Sequence, residues 1–266
     1  METIFTPQAY YCTLYIMTGL AVVVFLALQR ITAPYGIAYS DKWGVSVNNK
    51  AGWVMMEAPA FIAMLLLMIC ARHISWTTAA IASLFLLHYF YRSFIFPLRM
   101  RGKSRMPLAI AAMGALFNIV NAYLIGGWLF FMAPTGYYDY ITSPLTPSHA
   151  LPFTALIVGL GLFLWGMGIN RQADGIVRRL RKPGETGHKI PRGGMFRYVT
   201  SANYLGEIVE WAGYALITWS AAGAVFLLWT CANLVPRAAR LHQRYLKEFG
   251  EEYRSLGRKR IFPHIY

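Results

Sequence analysis

GMGINRQADGIVRRLRKPGETGHKIPRGGMFRYVTSANYLGEIVEW, residues Gly166 to Trp211, leaves one apolar run and enters the next with eight basic residues between them: Arg171, Arg178, Arg179, Arg181, Lys182, Lys189, Arg192 and Arg197. If Asn170 to Arg181 is helical, then Asn170, Asp174, Arg178 and Arg181 recur at spacings of four, four and three and share one face. Asn203, Glu207, Glu210 and Tyr214 repeat the pattern on the following helix. A cytoplasmic loop resting on anionic lipid would account for the basic residues. It does not account for an Asn and two carboxylates on a membrane-bound face. Acceptors beside a guanidinium cluster suit a polyphosphate ligand that also carries ribose hydroxyls.

Around this stretch the chain is too apolar for an ordinary soluble domain. Of its 266 residues 57% are hydrophobic and 14% charged, and the mean hydropathy is +0.42, which together indicate a polytopic membrane protein. The net charge of +14 sits in short loops between apolar runs, without the aromatic-basic interleaving of a nucleic-acid-binding surface. Cys12, Cys70 and Cys231 are isolated within apolar runs, which argues against a disulfide framework or a metal site. The first apolar run lacks a basic leader and a small-residue cleavage site, so it is expected to be retained.

Seven apolar runs predict seven transmembrane helices, at about Tyr10–Gln29, Gly52–Ala71, Trp76–Pro97, Leu108–Met132, Leu151–Ile169, Asn203–Trp219 and Ala221–Pro236. Seven crossings place three, five, eight and eight basic residues in the successive loops of one side and only Arg72 on the other. That asymmetry orients the N-terminus outside and the C-terminus in the cytoplasm. Gly159, Gly161, Gly166 and Gly168 follow no strand, so they are expected to serve close helix packing and not a Rossmann turn. The expected class is all-α, with no Rossmann domain and no metal.

Ionisable groups inside a span cost roughly 2.5 kcal/mol or more at mid-membrane and so need a reason. Glu57 lies in GWVMMEAPAF near the start of the second run, flanked by Trp53 and Pro59. A Glu in a first helical turn is favoured by the helix dipole; a desolvated Glu instead holds its proton and becomes a donor. Tyr89 and Arg92 lie in HYFYRSF, where Tyr91 suits an interfacial belt and Tyr89 a buried phenol. A phenol and a protonated carboxyl converging on one carbonyl oxygen would stabilise an enolate-like transition state. Asn118 and Asn121 share a face of the fourth run, suited to helix-helix hydrogen bonding or to lining a ligand pocket. The C-terminal segment is basic and amphipathic, an interfacial helix or the closing wall of a site.

Several of these elements together resemble the steroid 5α-reductases of the 3-oxo-5α-steroid 4-dehydrogenase type. They are GMGIN with Asp174 four residues on, LRKPGE, KIPRGG, YVTSANYLGEIVEW and a closing RA with HQRYL, supported by WVMMEAPAF and HYFYRSF in the N-terminal half. The resemblance implies a seven-helix membrane enzyme that uses NADPH to reduce the Δ4 bond of a 3-oxo steroid, with hydride passing to C5. It assigns Glu57 and Tyr89 as donors to the 3-keto oxygen. It assigns cofactor contacts to Asn170, Asp174, Arg178, Arg181, Asn203, Glu207, Arg237 and Tyr245, with His242 the nearer match for a family His because Leu241 occupies that position. Tyr35, Trp53 and Arg92 match positions lining the cofactor and steroid chamber, and Asn118 joins the substrate-binding set. Residues 1–106 would then carry the keto site and residues 107–266 the NADPH-binding loops and tail.

This chain departs from the family pattern at Met56, His188, Lys189, Leu241 and Ile37, which bears on cofactor affinity more than on the reaction. Isoprenylcysteine and phospholipid methyltransferases share a weakly similar C-terminal pattern, so an S-adenosylmethionine-dependent methyltransferase is the alternative, ahead of a non-enzymatic seven-helix receptor. The implied partners are a steroid or related enone lipid and the bilayer, with no nucleic acid and no obligate protein partner. The expected setting is multi-pass, in a bacterial inner membrane or the ER membrane.

Overall fold

The structure, a computed structural model, describes residues 5–31, 43–71, 73–101, 104–144, 146–180 and 187–266. The chain divides into two compact units built from separated stretches. One comprises Met1–Met17, Ala33–Ile157 and Ala215–Val225; the other comprises Thr18–Thr32, Val158–Tyr214 and Phe226–Tyr266. The architecture is all-α and polytopic, as expected, and the strands among the described residues are two of three residues each.

In the first unit a two-stranded antiparallel ribbon sets two helices side by side. Strand β1 (Ser46–Asn48) pairs with β2 (Arg105–Pro107), Val47 facing Met106, and each strand leads directly into a helix: α2 (Asn49–Cys70) and α4 (Leu108–Gly127). Asn48 caps α2 by accepting from the Lys50 amide at 2.9 Å, satisfying one of the donors that every helix start leaves over. The α2 and α4 helices can lie close because Gly114 faces Met56: a Cβ there would fall 2.4 Å from Met56 Cγ. Between them in sequence, α3 (Trp76–Phe90) starts at an N-cap Ser75 that accepts from the Thr78 amide at 3.1 Å. It continues through a π-turn, Tyr91–Ile95, into the turn Phe96–Arg99. The wider π-turn re-aims Arg92, and Tyr91 within it is 8% exposed. Tyr91 is therefore a packed residue, contrary to its expected place in an interfacial belt.

The loop after α4 is ordered by hydroxyls. Tyr137, Tyr138 and Tyr140 donate to the carbonyls of Trp219, Thr218 and Ile217, which are the acceptors left over where α6 (Ala202–Thr218) ends. Burial raises the pKa of Tyr137 and Tyr140, so both stay protonated and able to donate.

In the second unit α5 (Ala150–Arg179) and α6 meet backbone to backbone. A Cβ on Gly166 would lie 2.3 Å from the Glu210 nitrogen, one on Gly206 2.4 Å from the Asn170 nitrogen, and one on Gly213 2.4 Å from the Phe163 nitrogen and 2.5 Å from the Gly159 oxygen. The packing role expected of the glycines thus holds for Gly166, whereas Gly161 and Gly168 have nothing within 4 Å of a Cβ. Phe163, Trp211, Tyr214 and Phe226 pack as one aromatic group beside this contact. Helix α7 (Ala221–Arg254), kinked at Gly250 where φ is +53°, runs through Pro236 into the basic C-terminal sequence, so the apolar run and the amphipathic segment up to that kink are continuous. At the end of α1 (Pro7–Leu28), Arg240 Nε donates to the Leu28 carbonyl at 3.4 Å.

Six helical segments among the described residues are long and apolar enough to cross a membrane: Pro7–Leu28, Asn49–Cys70, Trp76–Arg99, Leu108–Met132, Pro147–Arg179 and Ala221–Arg254. The run expected at Asn203–Trp219 is the 17-residue helix α6. It spans about 26 Å at 1.5 Å per residue, short of the roughly 30 Å hydrocarbon layer, and it carries Glu207 and Glu210.

Candidate active site

The first unit gathers a carboxyl, a phenol and an amide. Glu57, Tyr89 and Asn118 come from α2, α3 and α4 and are 9%, 3% and 4% exposed. Tyr89 donates its hydroxyl to Asn118 Oδ1 at 2.9 Å. Asn118 Nδ2 donates to the Met56 carbonyl at 2.7 Å and reaches Glu57 Oε2 at 3.4 Å. Local sequence explains the meeting. Pro59 has no N–H for the Met55 carbonyl and its ring crowds the preceding turn, the turn that carries Met56 and Glu57. Gly114, four residues before Asn118, brings that face of α4 onto the same turn.

One helical turn from Glu57, Trp53 holds Arg92. The guanidinium lies 4.6 Å from the Trp53 ring centre and 4.6 Å from that of Phe96, and the two rings meet edge to face at 5.2 Å. Stacking between aromatic rings keeps a buried Arg charged and oriented. Of the residues expected in this half, the structure thus brings Glu57, Tyr89 and Asn118 into one cluster and Trp53 against Arg92. Tyr35 lies outside the described residues.

In the second unit the polar faces read from the sequence sit where α5 and α6 touch. Asn170 Nδ2 donates to the Asn203 carbonyl at 2.9 Å, held there by the Gly166–Gly206 approach. Asp174 is buried one turn further along α5, while Arg178 and Glu207 are half-buried. Arg237 lies 5.6 Å from the ring centre of Tyr204. Tyr245 is buried with Ile190 and Tyr253. His242 is engaged elsewhere than on a neighbouring helix face: its Nδ1 is 2.6 Å from Thr200 Oγ1, which also contacts the Tyr253 hydroxyl at 2.6 Å and donates to the Lys259 carbonyl at 3.0 Å. Arg181 lies outside the described residues. His188 pairs with Glu248 at 2.8 Å and Arg192 with Glu252 at 3.1 Å, fastening this segment to α7. The PRGG turn needs its glycines, with φ of +93° at Gly193 and +50° at Gly194.

Sequence reasoning missed the C-terminal strap. Lys259 bridges in parallel to Val199, and the Thr200 and Ser201 amides donate to the carbonyls of Lys259 and Arg260 at 2.8 and 3.2 Å. Arg258 is 8% exposed, stacks 5.8 Å from the Tyr253 ring centre, and has Nε and Nη1 buried with no hydrogen-bond partner among the described residues. Burial lowers its pKa. A buried guanidinium with unsatisfied donors suits an anionic oxygen, and with the Arg and Asn donors and the Asp and Glu acceptors above it makes a set that fits a dinucleotide's phosphates and ribose hydroxyls. Arg258 counted only toward topology in the sequence; its signal was an Arg between a turn glycine and the last apolar residues.

Comparison with known proteins places this geometry in context. The family described as 3-oxo-5-alpha-steroid 4-dehydrogenase matches residues 104–266. The chain is 39% identical to Steroid 5-alpha-reductase DET2 of Solanum lycopersicum over 247 residues, covering 91% of each chain. It is 38% identical to 3-oxo-5-alpha-steroid 4-dehydrogenase 1 of Homo sapiens over 256 residues, covering 95% of this chain and 93% of the relative. Against the protein of the same name from Mus musculus the identity is 39% over 255 residues, 94% of each.

Proposed function

The chain belongs to the 3-oxo-5-alpha-steroid 4-dehydrogenase family of steroid 5-alpha-reductases, and on that premise we propose that it reduces the Δ4 double bond of 3-oxo-Δ4 steroids with NADPH, hydride arriving at C5. The observation that carries this reading is the buried Glu57–Asn118–Tyr89 cluster. In it a buried carboxyl and a buried phenol stand within reach of one amide.

Glu57 and Tyr89 bind the 3-keto oxygen as donors. As hydride reaches C5, negative charge moves onto that oxygen, the two donors stabilise it more strongly than they stabilise the neutral ketone, and a solvent-derived proton added at C4 completes the reduction. Trp53 lines the steroid chamber beside them. NADPH, when bound, supplies the hydride. Asn170, Asp174, Arg178, Arg181, Asn203, Glu207, Arg237, His242 and Tyr245, with Tyr35 and Arg92, hold the cofactor. The arginines take its phosphates, for which a planar guanidinium is the better-matched donor. Residues 1–106 supply Trp53, Glu57 and Tyr89 of the keto site, and residues 107–266 most of the dinucleotide-binding set.

The test uses full-length protein in lipid nanodiscs with NADPH and a 3-oxo-Δ4 steroid. NADPH should be consumed in step with a 5α-reduced 3-oxo product, and NADPH deuterated at nicotinamide C4 should leave its label at C5. An intact protein that consumes no NADPH over a panel of such enones would contradict the reading.

A further inference from the structure

Asn118 has more to do in this cluster than hold two helices together. Its orientation is settled by chemistry: the Met56 carbonyl, 2.7 Å away, can only accept, so the atom facing it is the amide nitrogen. The amide oxygen therefore faces Tyr89, whose hydroxyl must donate across 2.9 Å. The same nitrogen approaches Glu57 Oε2 at 3.4 Å, which makes Oε2 an acceptor and leaves Oε1 as the oxygen that carries a proton when Glu57 is neutral.

We infer that Asn118 is the positioning residue of the keto site, fixing where the protons of Tyr89 and Glu57 lie before the ketone binds. This rests on the proposed roles of Glu57 and Tyr89. Three features of sequence build the device. Pro59 loosens the turn of α2 that carries Met56 and Glu57, Gly114 lets α4 approach Met56, and Asn118 follows Gly114 by one turn. Asn118 is 4% exposed, so no solvent competes for its amide. The ketone then draws the Tyr89 hydroxyl from one acceptor to another, a short rotation within a preset geometry instead of a search among rotamers.

The experiment measures kcat, steroid KM, NADP(H) affinity and the pH profile for Asn118→Ala and Asn118→Asp, together with Tyr89→Phe and the Tyr89→Phe/Asn118→Ala double variant. Asn118→Ala should lower kcat about 10- to 100-fold, leaving NADP(H) affinity within about threefold of wild type. The double variant should lose less than the product of the two single losses, because part of the amide's effect passes through the phenol. Asn118→Asp sets a second carboxyl beside Glu57 and couples the titration of the two, so the pH limb of kcat should move from its wild-type position. A kcat within about twofold of wild type in Asn118→Ala, additive losses in the double variant, or an unmoved pH limb in Asn118→Asp would each overturn the inference while leaving the proposed reaction intact. If Asn118→Ala fails to fold, the near-isosteric Asp variant alone decides through its pH limb. Wild-type protein without enone reduction would remove both.

Discussion

Thr200 has one proton to give and three neighbours around its hydroxyl. The Lys259 carbonyl can only accept, so Thr200 donates there, and both His242 Nδ1 and the Tyr253 hydroxyl must donate to Thr200 Oγ1. His242 is thereby held with a proton on Nδ1, leaving Nε2 as the nitrogen open to a ligand. Thr200→Val strands two donors at a site 1% exposed and should cost about 1–3 kcal/mol, read as a drop in melting temperature in detergent; Thr200→Ser should restore most of it. Equal melting of the Val variant and wild type would show that the hydroxyl is dispensable. None of this could be read from YVTSAN, because the partners of Thr200 lie 42, 53 and 59 residues away. Glu57 and Tyr89 were legible by contrast, since a carboxyl and a phenol inside apolar runs declare their own cost. Asn118 was legible as a polar face of its helix, but its partner is a backbone carbonyl, which no side-chain pattern reveals.

Glycines set the distances between helices, and the two contacts they make differ in how a substitution can be relieved. At Gly114 the obstacle to a Cβ is the Met56 side chain, while at Gly166 and Gly206 it is backbone. Gly206→Ala should therefore push α5 and α6 apart, lower the melting temperature by the equivalent of about 1–3 kcal/mol or more, and weaken NADP(H) binding through the displaced Asn170. Gly114→Ala should be milder for stability and act on turnover, because Met56 can shift but carries Glu57 with it. Binding assays by NADPH fluorescence and scanning calorimetry separate the two; a Gly206→Ala protein that binds and melts as wild type would remove the packing role given to that glycine. Tyr140→Phe loses one bond to a helix-end carbonyl and should cost only about 0.5–1.5 kcal/mol. Helix positions followed readily from the apolar runs. The π-turn at Tyr91–Ile95 and the merging of the last apolar run with the basic tail did not. Hydropathy averages over both.

At the scale of the molecule, the basic residues of the loops and the acids of the spans separate two tasks. On the proposed function, the positive charge suits an anionic cofactor and the buried donors suit a ketone. Membership of the steroid 5-alpha-reductases and an all-α membrane architecture were legible because motif and hydropathy are local. The composition of each compact unit from separated stretches was not, since residues 215–225 belong to the first unit while the residues before and after them belong to the second. We propose that α6 completes a seventh crossing, for which the charge asymmetry puts the C-terminus in the cytoplasm, and a reporter fused there should be active only on the cytoplasmic side. The last six residues close on themselves, with the Ile261 and Phe262 amides donating to the Tyr266 carbonyl at 2.8 and 2.9 Å. Ending the chain at Arg260 should therefore lower both melting temperature and NADP(H) affinity.

The central claim is that a carboxyl and a phenol polarise one ketone while the dinucleotide is held by other residues. The direct measurement is steady-state turnover and NADP(H) dissociation constant for Glu57→Gln and Tyr89→Phe in the intact membrane protein. Turnover should fall at least about 100-fold in each, with NADP(H) affinity within about threefold of wild type. Full turnover in both variants, or loss of cofactor binding in place of turnover, would contradict it.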